Sequence, residues 1–135
     1  MENRELDSVE VLKRARELVA NGWTRKTIAR DANGRFVTVL SREATSFCVV
    51  GGLMRAQSEM GGFITRNLRR VLEIAADIEY RDIADWNDEP GRTKEEVLAV
   101  YDKAIESLSP QLIDVMAEAE AIVAQHEPVK EEVLV

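Results

Sequence analysis

The stretch IADWNDEPGRT, residues 83–93, joins an apolar segment to a polar turn and then opens a new helix. Trp86 stands directly before an Asn-Asp pair, and Pro90-Gly91 is a dipeptide typical of turns. Thr93 and the acid three residues later have the spacing of a capping box, in which each side chain bonds a free backbone N–H group at a helix start. The stretch therefore predicts a tryptophan-anchored turn followed by a helix that extends to about residue 108.

Apolar residues recur at helical spacing in four further segments. These predicted helices cover residues 8–21 after a cap at Asp7, 42–60 after a cap at Ser41, 66–78 after a cap at Thr65, and 110–125 from Pro110 onward. Turn-forming residues from Asp31 to Gly34 lie between apolar residues and predict a β-hairpin. The predicted fold is mainly α: a single compact domain of about five helices, residues 1–126, with one small β-hairpin near residues 27–39. The tail, residues 127–135, is expected either to be disordered or to dock its apolar end on a neighbour.

The predicted helix 42–60 is apolar nearly all round between Phe47 and Met54, which is typical of a central, buried helix. Gly51-Gly52 interrupts it, and each glycine costs about 1 kcal/mol relative to alanine within a helix. Close approach of another helix, or of the Trp86 ring, is the predicted reason for them. Two other aromatic residues are predicted to pack in the core: Trp23, over the end of the first helix, and Phe36.

Composition excludes several classes of site. The chain of 135 residues has one cysteine, Cys48, and one histidine, His126, so an internal disulfide and a cysteine-based zinc site are excluded. No Asp-x-Asp-x-Asp-Gly loop for a hard cation is present. We expect no metal site and no cofactor. The charged start is followed by no apolar run of signal-peptide or membrane-span length, so a cytoplasmic protein without membrane contact is expected.

Charge is distributed unevenly along the chain. Residues 1–70 hold 13 Lys or Arg against 8 Asp or Glu, whereas residues 71–135 hold 5 against 17. This polarity either steers a charged partner or lets the two halves attract each other, within one domain or across a homodimer. The acidic second half could also present a negative surface to a basic protein.

Five residues form the candidate ligand-binding site: Trp86, Asn87, Asp88 and Arg92, with Cys48 opposite. Asn supplies a donor and an acceptor, Asp a base, Arg an anion fork, and Trp a stacking face. The alternative is an ordinary turn, in which the Asn-Asp pair bonds the backbone around Pro90-Gly91 and Arg92 pairs with a nearby glutamate at position 89 or 95. Cys48, among apolar neighbours, is then a buried structural thiol rather than a nucleophile.

Arg66, Arg69 and Arg70 form a basic cluster in the early turns of the predicted helix 66–78 and are the candidate anion-binding residues. Cations near a helix N-terminus oppose the helix dipole, so they need a compensating anion. That anion is either a ligand or the acidic run that follows, which contains Asp77, Glu79, Asp82 and Asp85.

The ordered combination of Trp23, the Asp31–Gly34 turn, the Phe47–Leu53 helix and the Trp86–Thr93 turn resembles a family of small uncharacterised bacterial and phage proteins, known only as a domain of unknown function. The resemblance covers roughly residues 8–106. In this chain Gly52 stands where alanine is usual. The resemblance implies no activity.

The leading functional hypothesis is a non-enzymatic accessory or interaction protein encoded by a phage or mobile element. It follows from the lack of a Gly-rich phosphate loop, a Ser-His-Asp set and a nucleophile elbow in the sequence, and we expect no catalytic residues. A protein partner is expected, and homodimerisation is open. The alternatives are ligand binding or catalysis around Trp86, and nucleic-acid binding through the basic first half, which the sequence pI of about 4.8 disfavours.

Overall fold

The computed structural model describes residues 6–64, 66–78 and 81–109. The described chain is mainly α with one small antiparallel sheet, which confirms the predicted class. The elements in chain order are α1 (Ser8–Asn21), β1 (Ala29–Arg30), β2 (Ser46–Phe47), α2 (Val49–Met60), α3 (Leu68–Ala75), α4 (Ile83–Asn87) and α5 (residues 94–109). The predicted helix 110–125 and the tail 127–135 lie outside the described residues.

The first two long helices pack against each other and form the centre of the core. Asp7 caps α1 as predicted, since its carboxylate accepts the Val9 N–H at 3.0 Å. The buried side of α1 meets α2, where a Cβ built on Gly52 would lie 2.7 Å from Val19 Cγ2 and 3.2 Å from Ala15 O. Close approach of another helix is therefore the reason for Gly52, as predicted. The aromatic group nearest this Cβ is Tyr101, whose hydroxyl lies 3.5 Å away, rather than the Trp86 ring.

The start of α2 differs from the prediction. Residues 42–48 are not helical: the helix begins at Val49 and is capped by Cys48, whereas Ser41 caps only a local turn. The backbone of this segment hydrogen-bonds residues 28–30 instead of forming helical bonds. Thr45 N–H donates to Arg30 O, and Cys48 N–H donates to Ile28 O. A short apolar run is compatible with both a buried helix and a buried strand, so periodicity alone could not locate the start of α2.

The sheet is also built differently from the predicted hairpin. The predicted Asp31 turn forms, because its carboxylate accepts the N–H groups of Asn33 and Arg35. However, β1 pairs with β2, and the second arm of the turn contributes only an isolated bridge between Arg30 and Phe36. Phe36 was wrongly predicted to be a core residue, since it is 69% exposed.

The second half of the chain closes the core. α3 is capped by Asn67 and ends at Ala75 rather than at residue 78. The predicted cap, Thr65, lies outside the described residues. The short helix α4 was not predicted. α5 begins with the predicted capping box, as Glu96 accepts the Thr93 N–H and Thr93 accepts the Glu96 N–H. No helix in the described ranges is long and apolar enough to cross a membrane.

Candidate functional site

The Trp86 stretch forms the single-turn helix α4 and a tight turn after it. Asp82 caps α4 by accepting the Ala84 N–H at 2.8 Å, and the Glu73 carboxylate accepts the Ile83 N–H from the side of α3. After α4, Gly91 adopts a left-handed conformation, with φ of 84°, which glycine tolerates without steric cost. α4 contacts the first turn of α2, so the stretch lies against the glycine-containing helix.

Asn87 is fully buried and joins three parts of the fold. Its Oδ1 accepts the Trp23 indole N–H at 2.8 Å and the Val49 N–H, at the start of α2, at 3.0 Å. Its amide group donates to Thr24 O at 3.2 Å and to Asp88 Oδ1 at 3.0 Å. Both acceptor positions and both donors of the side chain are therefore engaged within the protein, and none is left for a ligand.

Asp88 bonds the segment after Trp23 rather than the backbone around Pro90-Gly91. Its Oδ1 also accepts the Lys26 N–H at 2.8 Å, and its carbonyl oxygen accepts the Arg25 guanidinium at 2.9 Å. Lys26 has a φ of 73°, a region that is unfavourable for a residue with a Cβ. The carboxylate thus holds a strained backbone position in place.

Trp86 is buried and is covered by Arg92. The guanidinium carbon lies 3.9 Å from the centre of the indole ring, and Nε donates to Trp86 O at 2.8 Å. Arg92 also pairs with Glu89 at 2.6 Å, as the turn interpretation predicted, and with Glu96 at 3.3 Å rather than with Glu95. The indole face of Trp86 and the guanidinium group of Arg92 therefore contact each other.

Cys48 lies at the start of α2, where its Sγ accepts the Gly51 N–H at 3.3 Å. Burial raises the pKa of the Cys48 thiol above its ordinary value, and this effect outweighs the N–H groups of Gly51 and Val50, which lower it. A thiol in these surroundings remains protonated at neutral pH and is a poor nucleophile. In the described part of the chain no group of three His, Cys, Asp or Glu side chains could hold a metal ion.

Only part of the candidate ligand site borders open space. A small cleft of about 210 Å³ lies between the Lys26 segment, the start of α2 and α4. Cys48 and Asp88 line it, together with Lys26 and Arg69, but Trp86, Asn87 and Arg92 are not among its lining residues. The structure therefore brings all five candidate residues into one region and divides them between a closed core and a shallow cleft.

The three candidate anion-binding arginines do not converge on one point. Arg69 donates to Asp82 at 2.6 Å, and Arg70 lies 3.8 Å from Glu73. Arg66 lines a separate groove between α3 and α5. Pairing with neighbouring acids thus accounts for Arg69 and Arg70.

Sequence reasoning missed the residues that complete the region. Trp23 packs against the core as predicted. Its ring N–H donates to Asn87 and its backbone pairs with Phe47, and neither contact was predicted. Tyr101, fully buried in α5, donates its hydroxyl to Val49 O. Burial raises the pKa of Tyr101 far above its ordinary value. The Trp23–Asn87 and Tyr101–Val49 hydrogen bonds span 64 and 52 residues, so no local pattern points to them.

A model of a protein family, described as "Family of unknown function (DUF6197)", matches residues 4–107. The chain belongs to the DUF6197 family. No curated protein and no solved structure matches the chain. The match contains every residue of the Trp86 region, from Trp23 to Tyr101, so this bonded arrangement lies within the family domain.

Cys48 is only 4% exposed in this DUF6197 domain although it borders the cleft, and this burial predicts a low reactivity. Modification by a thiol reagent at about pH 8 is expected to be on the order of 100-fold slower in the folded chain than in urea, because the thiol is buried and protonated. Release of the reagent's chromophore measures the rate, and Cys48 is the only cysteine that can contribute. Equal rates in the folded and unfolded chain would contradict the assignment of a structural thiol.

Proposed function

We propose that this chain is a non-enzymatic interaction protein of the cytoplasm that binds an acidic partner protein through the outward face of residues 36–40. The observation that carries the proposal is the exposure of two large apolar side chains on this segment: Phe36 is 69% exposed and Leu40 is 61% exposed. Large exposed apolar residues on an ordered loop are typical of binding surfaces.

The burial of residues 36–40 alternates along the chain. Val37 is half-buried and Val39 is buried, whereas Phe36, Thr38 and Leu40 are exposed. Phe36 lies in extended backbone, and Leu40 lies in the turn that the Ser41 N–H closes by donating to Thr38 O at 3.1 Å, so both exposed apolar side chains belong to one short surface segment.

The segment is held firmly on the domain, which favours a preformed binding surface. Val37 N–H donates to Ala29 O at 3.2 Å, and the Arg55 guanidinium donates to the carbonyl oxygens of Val39 and Ser41 at 2.7 and 3.0 Å. An ordered surface loses little conformational entropy on binding.

Charge supports an acidic partner. Between residues 25 and 42 the chain has five basic residues and one acidic residue, whereas the whole chain has a net charge of −7. Arg35 and Arg42, both exposed, flank the apolar face. An acidic surface that surrounds an apolar pocket would complement both its charge and its shape.

The occupied polar groups of the Trp86 region support a role without catalysis. Asn87 has no free donor or acceptor, Arg92 is stacked and paired, and the pKa of Cys48 is raised. An enzyme needs a positioned acid, base or nucleophile with access to substrate.

Nucleic acid is the competing class of partner, because an exposed aromatic ring beside arginines can stack on a base. The Phe36 ring, however, is already covered on one side by Arg30, whose guanidinium lies 4.8 Å from its centre. Arg30 also donates to Thr24 and to two backbone carbonyl oxygens. The remaining surface is aliphatic, which favours a protein.

A photo-cross-linking amino acid at position 36 or 40 tests the proposal in cells. We expect cross-links to one defined acidic protein, which would then be purified, and none from the same amino acid at Glu95, an exposed position on α5. The double variant Phe36→Ser with Leu40→Ser should weaken binding to that purified protein about 100-fold, because truncating two apolar anchors removes most of the contact energy.

The double variant should unfold at the same urea concentration as the wild type, because both side chains are exposed. Cross-links that nuclease removes would replace the proposal with nucleic-acid binding, and cross-links to a second copy would replace it with a homodimer. Equal cross-linking from positions 36 and 95 would refute a dedicated surface.

A further inference from the structure

We propose that the acidic partner binds by strand addition, in which an extended segment of the partner pairs its backbone with the free edge at Phe36 and Thr38. This mode of binding rests on the function proposed above and specifies the form that the partner takes at that surface. Within the described part of the chain, the Phe36 N–H, the Phe36 carbonyl oxygen and the Thr38 N–H have no hydrogen-bond partner. Both residues are exposed, so these three groups are accessible to another chain.

The pairing of Phe36 with Arg30 determines the direction of these groups. The two residues form an isolated antiparallel bridge. On one side of it, Val37 N–H donates to Ala29 O at 3.2 Å. On the other side, Asp31 N–H donates at 2.9 Å to the carbonyl oxygen of the residue before Phe36. In this ladder pattern the bridged residues exchange no hydrogen bond, and their N–H and C=O groups point away from each other. The free groups of Phe36 therefore face away from β1.

The free edge is fixed in place before a partner binds. The Val37 N–H bonds β1, and beyond the edge Thr38 O accepts the Ser41 N–H at 3.1 Å. Because the N–H groups of successive residues in extended backbone point to opposite sides, the Thr38 N–H faces outward like that of Phe36. One added strand can therefore bond all three groups, and this chain loses little conformational entropy in the process.

Charge favours an acidic strand over a second copy of this chain. Arg35 and Arg42 flank the free edge, and neither forms an ion pair with a residue that the structure describes. Arg55 and Arg92, by contrast, are paired with glutamates. Two copies that met edge to edge would bring their unpaired arginines together, and like charges on adjacent strands destabilise pairing. An acidic strand would neutralise these arginines instead.

The geometry of the edge also predicts the side-chain pattern of the added strand. An antiparallel partner residue that exchanges both hydrogen bonds with Phe36 places its side chain beside the Phe36 ring, so an apolar residue is favoured there. The next partner residue points to the other face of the strand, where Arg35 lies. An acid at that position pairs with the arginine. The recognised segment is therefore extended and alternates apolar and acidic residues.

Synthetic peptides test strand addition on the unaltered protein. The probe is an acetylated and amidated peptide of four Glu-Val repeats, which has the predicted alternation. One matched peptide is N-methylated at the valines, so the backbone groups that would pair with Phe36 can no longer do so. The other is N-methylated at the glutamates, whose N–H groups face away from this chain. We expect calorimetric titration to give about tenfold weaker binding for the valine-methylated peptide only, because the pairing hydrogen bonds are lost.

Hydrogen exchange identifies the groups that pair. A saturating amount of the Glu-Val peptide should slow exchange of the Phe36 and Thr38 amides about tenfold, as followed by NMR. The Val37 amide is the internal control, because it is already bonded to Ala29 O and should not change. Binding through side chains alone would leave all three exchange rates as they are.

The outcomes separate the mode of binding from the function itself. Equal affinities for the two methylated peptides, or no binding of the unmethylated peptide at about 1 mM, would overturn strand addition. If position 36 still cross-linked to an acidic protein, the binding surface would stand and only the mode of pairing would be wrong. If positions 36 and 40 gave no cross-links, the proposed function would fail and strand addition with it. Protection of the Phe36 and Thr38 amides that rises with the concentration of the free protein would assign the edge to a second copy.

Discussion

Asn87→Ala is expected to lower the free energy of unfolding by about 4 kcal/mol. The substitution removes the side-chain oxygen that accepts the Trp23 indole N–H and the Val49 N–H, and it leaves Thr24 O without the amide donor. Each buried polar group left without a partner costs about 1–3 kcal/mol. Urea unfolding followed by circular dichroism measures the change.

Asn33→Ala is the matched control. Asn33 is exposed on the Asp31 turn, and its bond to Asp31 comes from its backbone N–H, which alanine retains. We expect its effect to remain within about 0.5 kcal/mol. If Asn87→Ala also changed stability by less than about 1 kcal/mol, the bonds of Asn87 would not support the fold, and a ligand-binding role would become the better explanation for its burial.

Asn87→Asp separates shape from chemistry at the same position. Aspartate keeps the acceptor that faces Trp23 and Val49, but its second oxygen meets Thr24 O and the Asp88 carboxylate, where the amide group donated. Two acceptors then face each other in a buried site, so this near-isosteric change is also expected to destabilise the fold.

The difference between Asn87 and Thr93 explains how much could be predicted here. The Thr93 capping box was predicted because both partners lie within one turn of helix, and the bonds form with the predicted geometry. The sequence also marked Asn87 as a notable polar residue in a turn. Its bonds to Trp23 and Val49 span 64 and 38 residues and depend on how the elements pack, which no local pattern contains.

The segment 42–48 illustrates a second limit. An apolar run is compatible with a buried helix and with a buried strand. In the structure this segment is extended because its backbone hydrogen-bonds the backbone of β1. The hairpin predicted near Phe36 likewise did not identify which of its side chains are exposed. Phe36, now proposed for binding, was therefore assigned to the core.

The glycines of α2 were the most informative sequence signal for packing, and Gly51→Ala is the sharper test of it. Helix propensity alone predicts that alanine would stabilise α2 by about 1 kcal/mol. A Cβ at this position would instead lie 2.2 Å from Ile28 O and 2.9 Å from Ile28 Cγ2. Helix propensity and the steric clash change stability in opposite directions, so the measured free energy of unfolding shows which effect is larger.

The steric effect should dominate, and Gly51→Ala is expected to lower the free energy of unfolding by about 3 kcal/mol, at the upper end of the usual cost of overpacking. Ile28 O cannot move freely, because it accepts the Cys48 N–H at 3.1 Å next to the pairing of β1 with β2. Relief of the clash would therefore weaken both the sheet and the cap of α2. Thermal and urea unfolding should both report the loss.

Two other glycines calibrate this result. Gly34→Ala meets no atom within 4 Å and suffers only from its φ of 82°, so a loss of about 1 kcal/mol is expected. Gly52→Ala meets Val19 Cγ2, the end of a side chain, which can yield more readily than backbone. The resemblance noted above, in which alanine is usual at this position, agrees with a smaller cost. We therefore expect Gly51→Ala to be the most damaging of the three. If Gly51→Ala instead stabilised the protein, α2 would not lie as close to Ile28 as described, and the placement of Cys48 and of the adjoining cleft would have to be revised with it.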